Sequence, residues 1–348
     1  MSDRRNAKAV NLALQGGGSH GAFTWGVLDR LFEDERLKVE AISGTSAGAM
    51  NAVVAAQGMH DGGADGARAA LADFWRAVSN AAAASPIKRS PLDVLLGRWS
   101  LDSNPAYLAF DLASRLASPY EVNPAGMNPL RELIDAHVDF EKVRCCSGIN
   151  LYVSATNVET GRVRVFERHE IGVDQVLASA CLPQLFHAIE IDGQYYWDGG
   201  FMGNPVLFPF IDDSESEDIV IVQINPVYRP GVPKTAREIE NRVNEITFNS
   251  SLLKELRAID FVRRLRDADL LPDGYRQMRI HIVEARKRMR PLGASSKLNA
   301  EWAFLRHLFG IGRDAAERWL ARNFEQVGHA SSVDVRSMFQ GTGPRHHG

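Results

Sequence analysis

Ile42-Ser43-Gly44-Thr45-Ser46-Ala47-Gly48-Ala49-Met50 joins an apolar approach (Val39, Ala41, Ile42) to a helix-spaced run of small and apolar residues (Ala47, Ala49, Met50, Val53, Val54). Between them stands Gly-x-Ser-x-Gly, the pattern of a nucleophile elbow, a sharp strand-to-helix turn with a serine hydroxyl at its apex. Gly44 and Gly48 remove side chains that would collide where strand and helix fold close together. Ser46 then sits at a helix N-terminus, where free N–H groups and the helix dipole favour developing negative charge. A tight turn whose serine merely caps the helix is the plainer reading of the same residues.

Upstream, Ala9 to Gln15 alternates as a strand, Gly16-Gly17-Gly18-Ser19-His20-Gly21 follows, and Ala22 to Phe32 has the apolar spacing of an amphipathic helix. A second strand, about Lys38 to Ile42, leads into the elbow. This order predicts a three-layer α/β/α fold with a mostly parallel central sheet. Gly16 to Gly21 also fits the dinucleotide pattern G-x-G-x-x-G. Such a site needs an acidic residue at the end of the second strand, and Glu40 lies at its start, which argues against it. Consecutive N–H groups beside the serine suit a second use, binding the oxyanion of an acyl intermediate.

Downstream, Ala67 to Val78 reads as a helix within an Ala/Gly/Asp-rich region. Six prolines punctuate residues 85–129, read as an insertion of short helices and turns, either a lid or a packed structural segment. Strands are expected over Gly148 to Asn157 and Arg162 to Glu167, a short helix over Val173 to Ala180, and a hairpin turning at Asp192-Gly193 that delivers Asp198-Gly199-Gly200. Asp218 to Asn225 reads as a buried parallel strand. Residues 227–340 form a charged, mainly helical C-terminal region packed on the core, with one more strand over Met278 to Glu284 and one or two helices over Asn299 to Phe324. Residues 1–8 read as a polar leader, 9–226 as the main domain and 341–348 as a disordered tail.

The 348 residues are 45% hydrophobic and 24% charged, as in an ordinary globular protein, and a formal net charge of −3 gives no general pull towards nucleic acid. Three cysteines (Cys145, Cys146, Cys181) make no disulfide framework and read as packing residues in a reducing compartment. Met1 to Lys8 lacks the apolar core of a signal peptide, so a cytoplasmic location is expected. Neither H-E-x-x-H nor a Cys/His cluster is present to bind a metal. No cofactor is expected, and the sequence sets no oligomeric state.

A serine needs a base. Among the ten histidines, His281 and His307 follow Asp198 in the order Ser…Asp…His, but neither has the loop setting of a triad histidine. His169 and His187 precede Asp198, and His20 lies in the glycine loop. For each, a surface or core role is the better reading. Asp198 stands at a strand end before two glycines, where a carboxylate can take the serine proton directly; taken alone, Asp-Gly-Gly is only a turn signal.

Together Gln15 to Gly21, Gly44-Thr45-Ser46-Ala47-Gly48 and Asp198-Gly199-Gly200 resemble the patatin-like phospholipase family. Ala22 to Leu28 and Ser179-Ala180-Cys181-Leu182-Pro183, leading to Tyr196 to Gly200, look like its bacterial members. The similarity covers about Ala9 to Pro226. It implies a Ser–Asp dyad without a catalytic histidine, with Ser46 as nucleophile and Asp198 as proton acceptor. It places the oxyanion and substrate-binding loop at Gly16, Gly17, Gly18, His20 and Gly21, with Gly17 and Gly18 N–H as donors. Many members carry Arg or Lys where His20 stands.

The function so implied is hydrolysis of phospholipid acyl esters through an acyl-enzyme, in lipid metabolism or degradation. The alternatives are a carboxylesterase or thioesterase on soluble esters and, from another class, a catalytically silent lipid- or nucleotide-binding protein. A lipid substrate brings with it peripheral membrane contact. Trp302, Phe304, Leu305, Leu308, Phe309 and Ile311 form one stretch that could supply it, and Arg286 to Arg290 another. A core-facing helix and a solvated charged turn are the stronger readings of the two.

Overall fold

The computed structural model describes residues 7–146, 148–272 and 274–341. Apart from Ala7, Lys8 and Gly341, the expected leader and tail lie outside them. The first strands and helices are β1 (Lys8–Leu14), α1 (Gly21–Asp34), β2 (Leu37–Gly44) and α2 (Ala47–Ala81). The insertion holds α3 (Pro91–Leu95), α4 (Pro105–Leu116) and α5 (Pro119–Val122), each with a proline at its first helical position, where the missing N–H costs nothing. There follow α6 (Pro129–His137), α7 (Phe140–Cys145), β3 (Asn150–Asn157), β4 (Val163–Glu167), α8 (Val173–Ser179), β5 (Ile189–Ile191), β6 (Gln194–Asp198), α9 (Phe208–Asp213) and β7 (Asp218–Gln223). The C-terminal region adds α10 (Ala236–Asp267), β8 (Arg279–Glu284), α11 (Arg286–Met289), α12 (Trp302–Asn323) and α13 (Val335–Gln340).

The sheet runs β5-β6-β3-β2-β1-β7-β8, with β4 also paired to β3. β3, β2, β1, β7 and β8 are mutually parallel; β4 and β6 run antiparallel to β3, and β5 antiparallel to β6. Val153, Gly44, Leu14, Val222 and Val283 form one row across the parallel strands. The chain segments just beyond this row, at the carboxyl ends of the strands, build the site. β1 is the switch point, with β2 on one side and β7 on the other, where open α/β sheets leave a crevice for ligands.

Strand alternation divides the core between two faces. Leu12, Leu14, Ile42, Val220 and Val222 point towards α1, α2, α8 and α12; Ala13, Ala41, Ile219, Ile221, Ile280 and Ile282 point towards α9, α10 and α13. Helices therefore cover both faces, giving the three-layer α/β/α architecture with a helical C-terminal region. α12 packs on α1 at backbone contact: a Cβ on Gly26 would strike the Phe309 carbonyl, and one on Gly312 the Phe23 carbonyl. Phe304, Leu305, Leu308 and Ile311 are all fully buried, so this aromatic-rich face meets the core and not a membrane. In the basic run, Arg286 pairs with Glu284 and Arg288 with Asp314.

Some boundaries differ from the sequence reading. The elbow helix and the helix expected at Ala67 to Val78 run on as α2, broken only at Gly62–Gly63, whose dihedrals are not helical. Thr235 to Asp269 holds one helix, which opens with a capping box between Thr235 and Glu238. Cys145 is exposed, whereas Cys146 and Cys181 are buried. Among the described residues, no helix is long and apolar enough to cross a membrane.

Candidate active site

β2 ends at Gly44, and Thr45 carries the turn: its N–H donates to Leu14 O at 3.2 Å, and its hydroxyl bonds Ser154 Oγ and Gly203 O, each at 2.7 Å. Ser46 follows with φ 54° and ψ −122°, a region that costs a non-glycine residue on the order of 1–3 kcal/mol. The Ser179 hydroxyl helps hold it there, accepting the Ser46 N–H at 2.8 Å. A Cβ on Gly44 would lie 2.5 Å from Gly48 O, and one on Gly48 would strike Leu14 O. Both glycines are thus required by space.

The glycine loop leaves β1 and lies against this turn. A Cβ on Gly16 would be 2.8 Å from the Ser46 Cβ. The Gly16 peptide is fixed on both sides: its N–H donates to Asn204 Oδ1 at 2.7 Å, and its carbonyl accepts from Asn225 Nδ2 at 3.0 Å. Gln15, fully buried, accepts the Ile224 and Asn225 N–H groups at 2.9 Å and donates to Asn249 Oδ1 at 3.1 Å. The ends of β1 and β7 and the helix α10 are thereby tied together. With Gly16 held, the Gly17 and Gly18 N–H groups donate to nothing among the described residues. Gly18 has φ +56° and packs on the Lys297 carbonyl, to which an added Cβ would come within 2.5 Å. Gly21 packs against the elbow helix, where a Cβ would be 2.7 Å from that of Ala47.

His20 points away from the serine. Its Nε2 is 2.8 Å from Ser296 Oγ, which donates onward to Gly293 O, so the imidazole N–H is the donor to Ser296. Burial, helped by the Lys297 charge, pushes its pKa down to about 3. His20 is a neutral residue that bolts the glycine loop to the C-terminal region.

β6 pairs antiparallel with β3, and the register sets Asp198 opposite Ala155, two residues beyond the row that contains Gly44 and Leu14. Antiparallel pairing is what returns a residue from this distant part of the chain to the serine's end of the sheet. Asp198 is fully buried. Its N–H donates to Cys181 O at 2.8 Å, its carbonyl accepts from Thr156 Oγ1 at 2.8 Å, and Oδ1 accepts from Gly200 N at 2.7 Å. Burial pushes its pKa up to about 6, against the lowering effects of the Gly200 N–H, the Ser46 hydroxyl and the Lys297 charge. Ser46 is thus close enough to favour the charged carboxylate, yet Oδ2 has no hydrogen bond of ordinary geometry. Contacts between a hydroxyl and a carboxylate at such a site are often long without a ligand and tighten only when one binds. A Cβ on Gly199 would strike Ser154 O, and one on Gly200 the Phe248 ring.

No histidine completes a triad among the described residues. His281 faces Val220 in the sheet, behind the row that carries the site, and bonds Asp218 at 2.9 Å. His307 stacks on Trp99 and His187 on Tyr120. His169 lies beside Glu167.

A cleft of about 560 Å³ is walled by α4, α10, Leu182 to Leu185 and the turn at Ala294–Leu298; Ser46 and Asp198 are not among the residues that line it. Phe248 and Lys297 connect it to Gly200 and Gly18. The insertion is tied to the C-terminal region by Arg89, which bonds Glu301 at 2.8 and 3.0 Å, and by Leu101 N, which donates to Ser295 Oγ at 3.3 Å. α4 itself buries none of its residues fully.

Asn204, Asn225 and Lys297 are the site residues that the sequence reading missed. An asparagine just past the end of a buried parallel strand was a usable signal for Asn225. Asn204 and Lys297 lie in segments without motif or periodicity.

Among known proteins, residues 12–211 match the family model described as patatin-like phospholipase. No curated protein matches the sequence. Among solved structures the chain is similar to VipD from Legionella pneumophila, with 15% identity and a TM-score of 0.44, covering 91% of this chain and 67% of that one. It is similar also to the ExoU–SpcU heterodimer from the type III secretion system of Pseudomonas aeruginosa, with 14% identity, a TM-score of 0.38, and coverage of 92% of this chain and 52% of that one. The chain thus spans about half the length of that second match.

Proposed function

Since the family model takes in residues 12–211, more than half of the chain, the chain belongs to the patatin-like phospholipase family, and we propose that it is a lipid acyl hydrolase working through a Ser46–Asp198 dyad. The observation that carries the reading is a strained Ser46 beside a buried carboxylate whose Oδ2 has no hydrogen-bond partner, with no histidine beside them among the described residues. Asp198 accepts the hydroxyl proton as Ser46 Oγ attacks the acyl carbonyl carbon. The Gly17 and Gly18 N–H groups receive the oxyanion; one such donor contributes about 10²–10³ in rate. Collapse of the tetrahedral intermediate breaks the ester C–O bond, and protonated Asp198 returns the proton to the leaving alcohol. Water, deprotonated by Asp198, then hydrolyses the acyl-enzyme.

The substrate is taken to be a membrane or micellar lipid. Large apolar side chains crowd the surface of 85–129, with Leu95 82% and Leu116 78% exposed, and Leu92, Leu112, Val122 and Met127 also exposed. On a face of α10 other than the one that lines the cleft, Ile239, Val243 and Ile246 are exposed at helical spacing. Exposed apolar surface of this extent suits contact with lipid. The test is hydrolysis across phospholipids, diacylglycerols and short soluble esters. A rate that rises sharply once substrate aggregates supports the lipid reading. Equal turnover of monomeric esters with no such rise supports the esterase alternative.

A further inference from the structure

The charged residues lining the cleft are Asp102, Asp111, Arg115, Arg237, Glu240 and Lys297. Each of the first five has a partner, Arg237 with Asp102 and Arg115 with both Asp111 and Glu240, so the three carboxylates are spread over two guanidiniums. Lys297 is left over. Its Nζ donates to the neutral Asn225 Oδ1 at 3.0 Å, and among the described residues no carboxylate lies within ion-pair distance of it. An ammonium has three N–H donors, so two remain. The carboxylates whose charge reaches it are Glu245, which pairs with Arg229 and Arg242, and Asp198, whose Oδ1 accepts from Gly200 N.

The position of this cation matters as much as its charge. Asn225, which holds Nζ, also holds the Gly16 carbonyl, and the Lys297 carbonyl packs on Gly18. An anion on Lys297 would therefore lie at the edge of the loop that faces the scissile ester. The Phe248 ring lies 5.4 Å from Nζ, and Leu182, Leu185 and Phe201 line the apolar remainder of the cleft. In a glycerophospholipid the phosphate and the acyl esters are carried on one glycerol. A substrate with an ester at Ser46 thus carries its phosphate close to the glycine loop, at whose edge Lys297 stands. A half-buried cation without a counter-ion is costly, and a bound anion removes that cost. The lowering of the Lys297 pKa by burial accords with this.

We propose that Lys297 is a phosphate-binding residue of the cleft, holding the phosphate of a glycerophospholipid while an acyl ester of the same molecule meets Ser46. This rests on the hydrolase reading and narrows its substrate from acyl esters to phosphate-bearing lipids.

Two measurements test it. The first compares kcat/KM for phosphatidylglycerol and for a diacylglycerol of the same acyl chains, in the same detergent micelles, for wild type, Lys297→Met and Lys297→Arg. Loss of a charge-assisted hydrogen bond is expected to lower the phospholipid-to-diacylglycerol ratio about tenfold or more in Lys297→Met. Lys297→Arg is expected to restore much of it. The second is calorimetric binding of inorganic phosphate and of monomeric dihexanoyl phosphatidylglycerol to Ser46→Ala and to Ser46→Ala/Lys297→Met protein, which needs no turnover. Weaker binding of the lipid in the double variant supports the proposal even if wild type hydrolyses neither substrate, an outcome that would contradict only the hydrolase reading. Weaker binding of inorganic phosphate alone, with the ratio unchanged, overturns the lipid assignment in favour of a free-phosphate site. An unchanged ratio with unchanged binding of both overturns the proposal.

Discussion

Asn204 Oδ1 accepts the Gly16 N–H at 2.7 Å, across 188 residues of sequence. This one bond holds the glycine loop against Ser46 and occupies the Gly16 donor, while the Gly17 and Gly18 N–H groups donate to nothing among the described residues. Asn204 is itself held, donating from its N–H to Ser251 Oγ at 3.2 Å and from Nδ2 to the Phe248 carbonyl at 3.1 Å. The loop's shape is therefore set by α10 as much as by its own glycines.

Asn204→Ala should leave the Gly16 N–H buried without an acceptor. The expected cost is about 1–3 kcal/mol of stability. A fall in kcat of about tenfold or more should accompany it, because the donors beside Ser46 lose their placement. Denaturant melts and steady-state kinetics on one ester check both, and a variant with wild-type kcat would show that the loop holds itself.

The pH dependence should follow Asp198. Its carboxyl works as a base only when ionised, and burial raises its pKa to about 6, so kcat/KM should fall with acid below about pH 6 and level off above it. His20, held near 3 by burial and the Lys297 charge, titrates too low to set this limb. Glu255 is raised to about 7 by burial, against the Leu207 and Phe208 N–H groups it caps. Glu255→Gln should leave the limb in place, and a limb that vanishes in that variant would move the assignment away from Asp198.

Asp198→Asn should be inactive yet more stable than wild type at pH 8. Burial raises the folded-state pKa from 3.8 to about 6, so the ionised carboxylate opposes folding, by on the order of 1–3 kcal/mol. The cost is absent below about pH 4, grows as pH rises through 6 and is complete above it. Stability curves of the two proteins should accordingly converge near pH 4. Equal stability at pH 8 would mean that the carboxylate is better compensated than its burial indicates.

Gly312→Ala should weaken the whole site from a distance. The added Cβ meets the Phe23 backbone, which cannot rotate aside, so α12 must move off α1 at an expected cost of about 1–3 kcal/mol. Chemical denaturation measures it; a loss below about 0.5 kcal/mol would show that the helices separate freely.

Leu95→Asp/Leu116→Asp should weaken binding to phospholipid vesicles in a flotation assay while leaving the thermal melt unchanged, since both side chains are exposed. Undiminished flotation would place the lipid contact elsewhere.

The sheet and the pieces of the site with local signatures were legible in the sequence. Alternation marked β1 and β3, a near-continuous apolar run marked β7, and the glycine loop, the elbow and Asp198-Gly199-Gly200 each had a pattern of their own. Asn204, Asn225 and Lys297 did not, because they act through bonds that close only when distant segments meet. The apolar face of α12 had the right periodicity for burial or for a membrane, and only its packing on Gly26 shows which. The step from β3 to β6 is similar. A hairpin could be read at Asp192-Gly193, but its pairing with β3, which returns Asp198 to the serine, depends on register that no local signal carries.

The most direct test of a Ser46–Asp198 dyad is labelling by a fluorophosphonate, with the modified residue mapped by mass spectrometry in wild type, Ser46→Ala and Asp198→Asn. Wild type should be labelled on Ser46, Ser46→Ala not at all, and Asp198→Asn slower by about a hundredfold or more. Labelling of Asp198→Asn at the wild-type rate, or of a residue other than Ser46, would contradict the dyad.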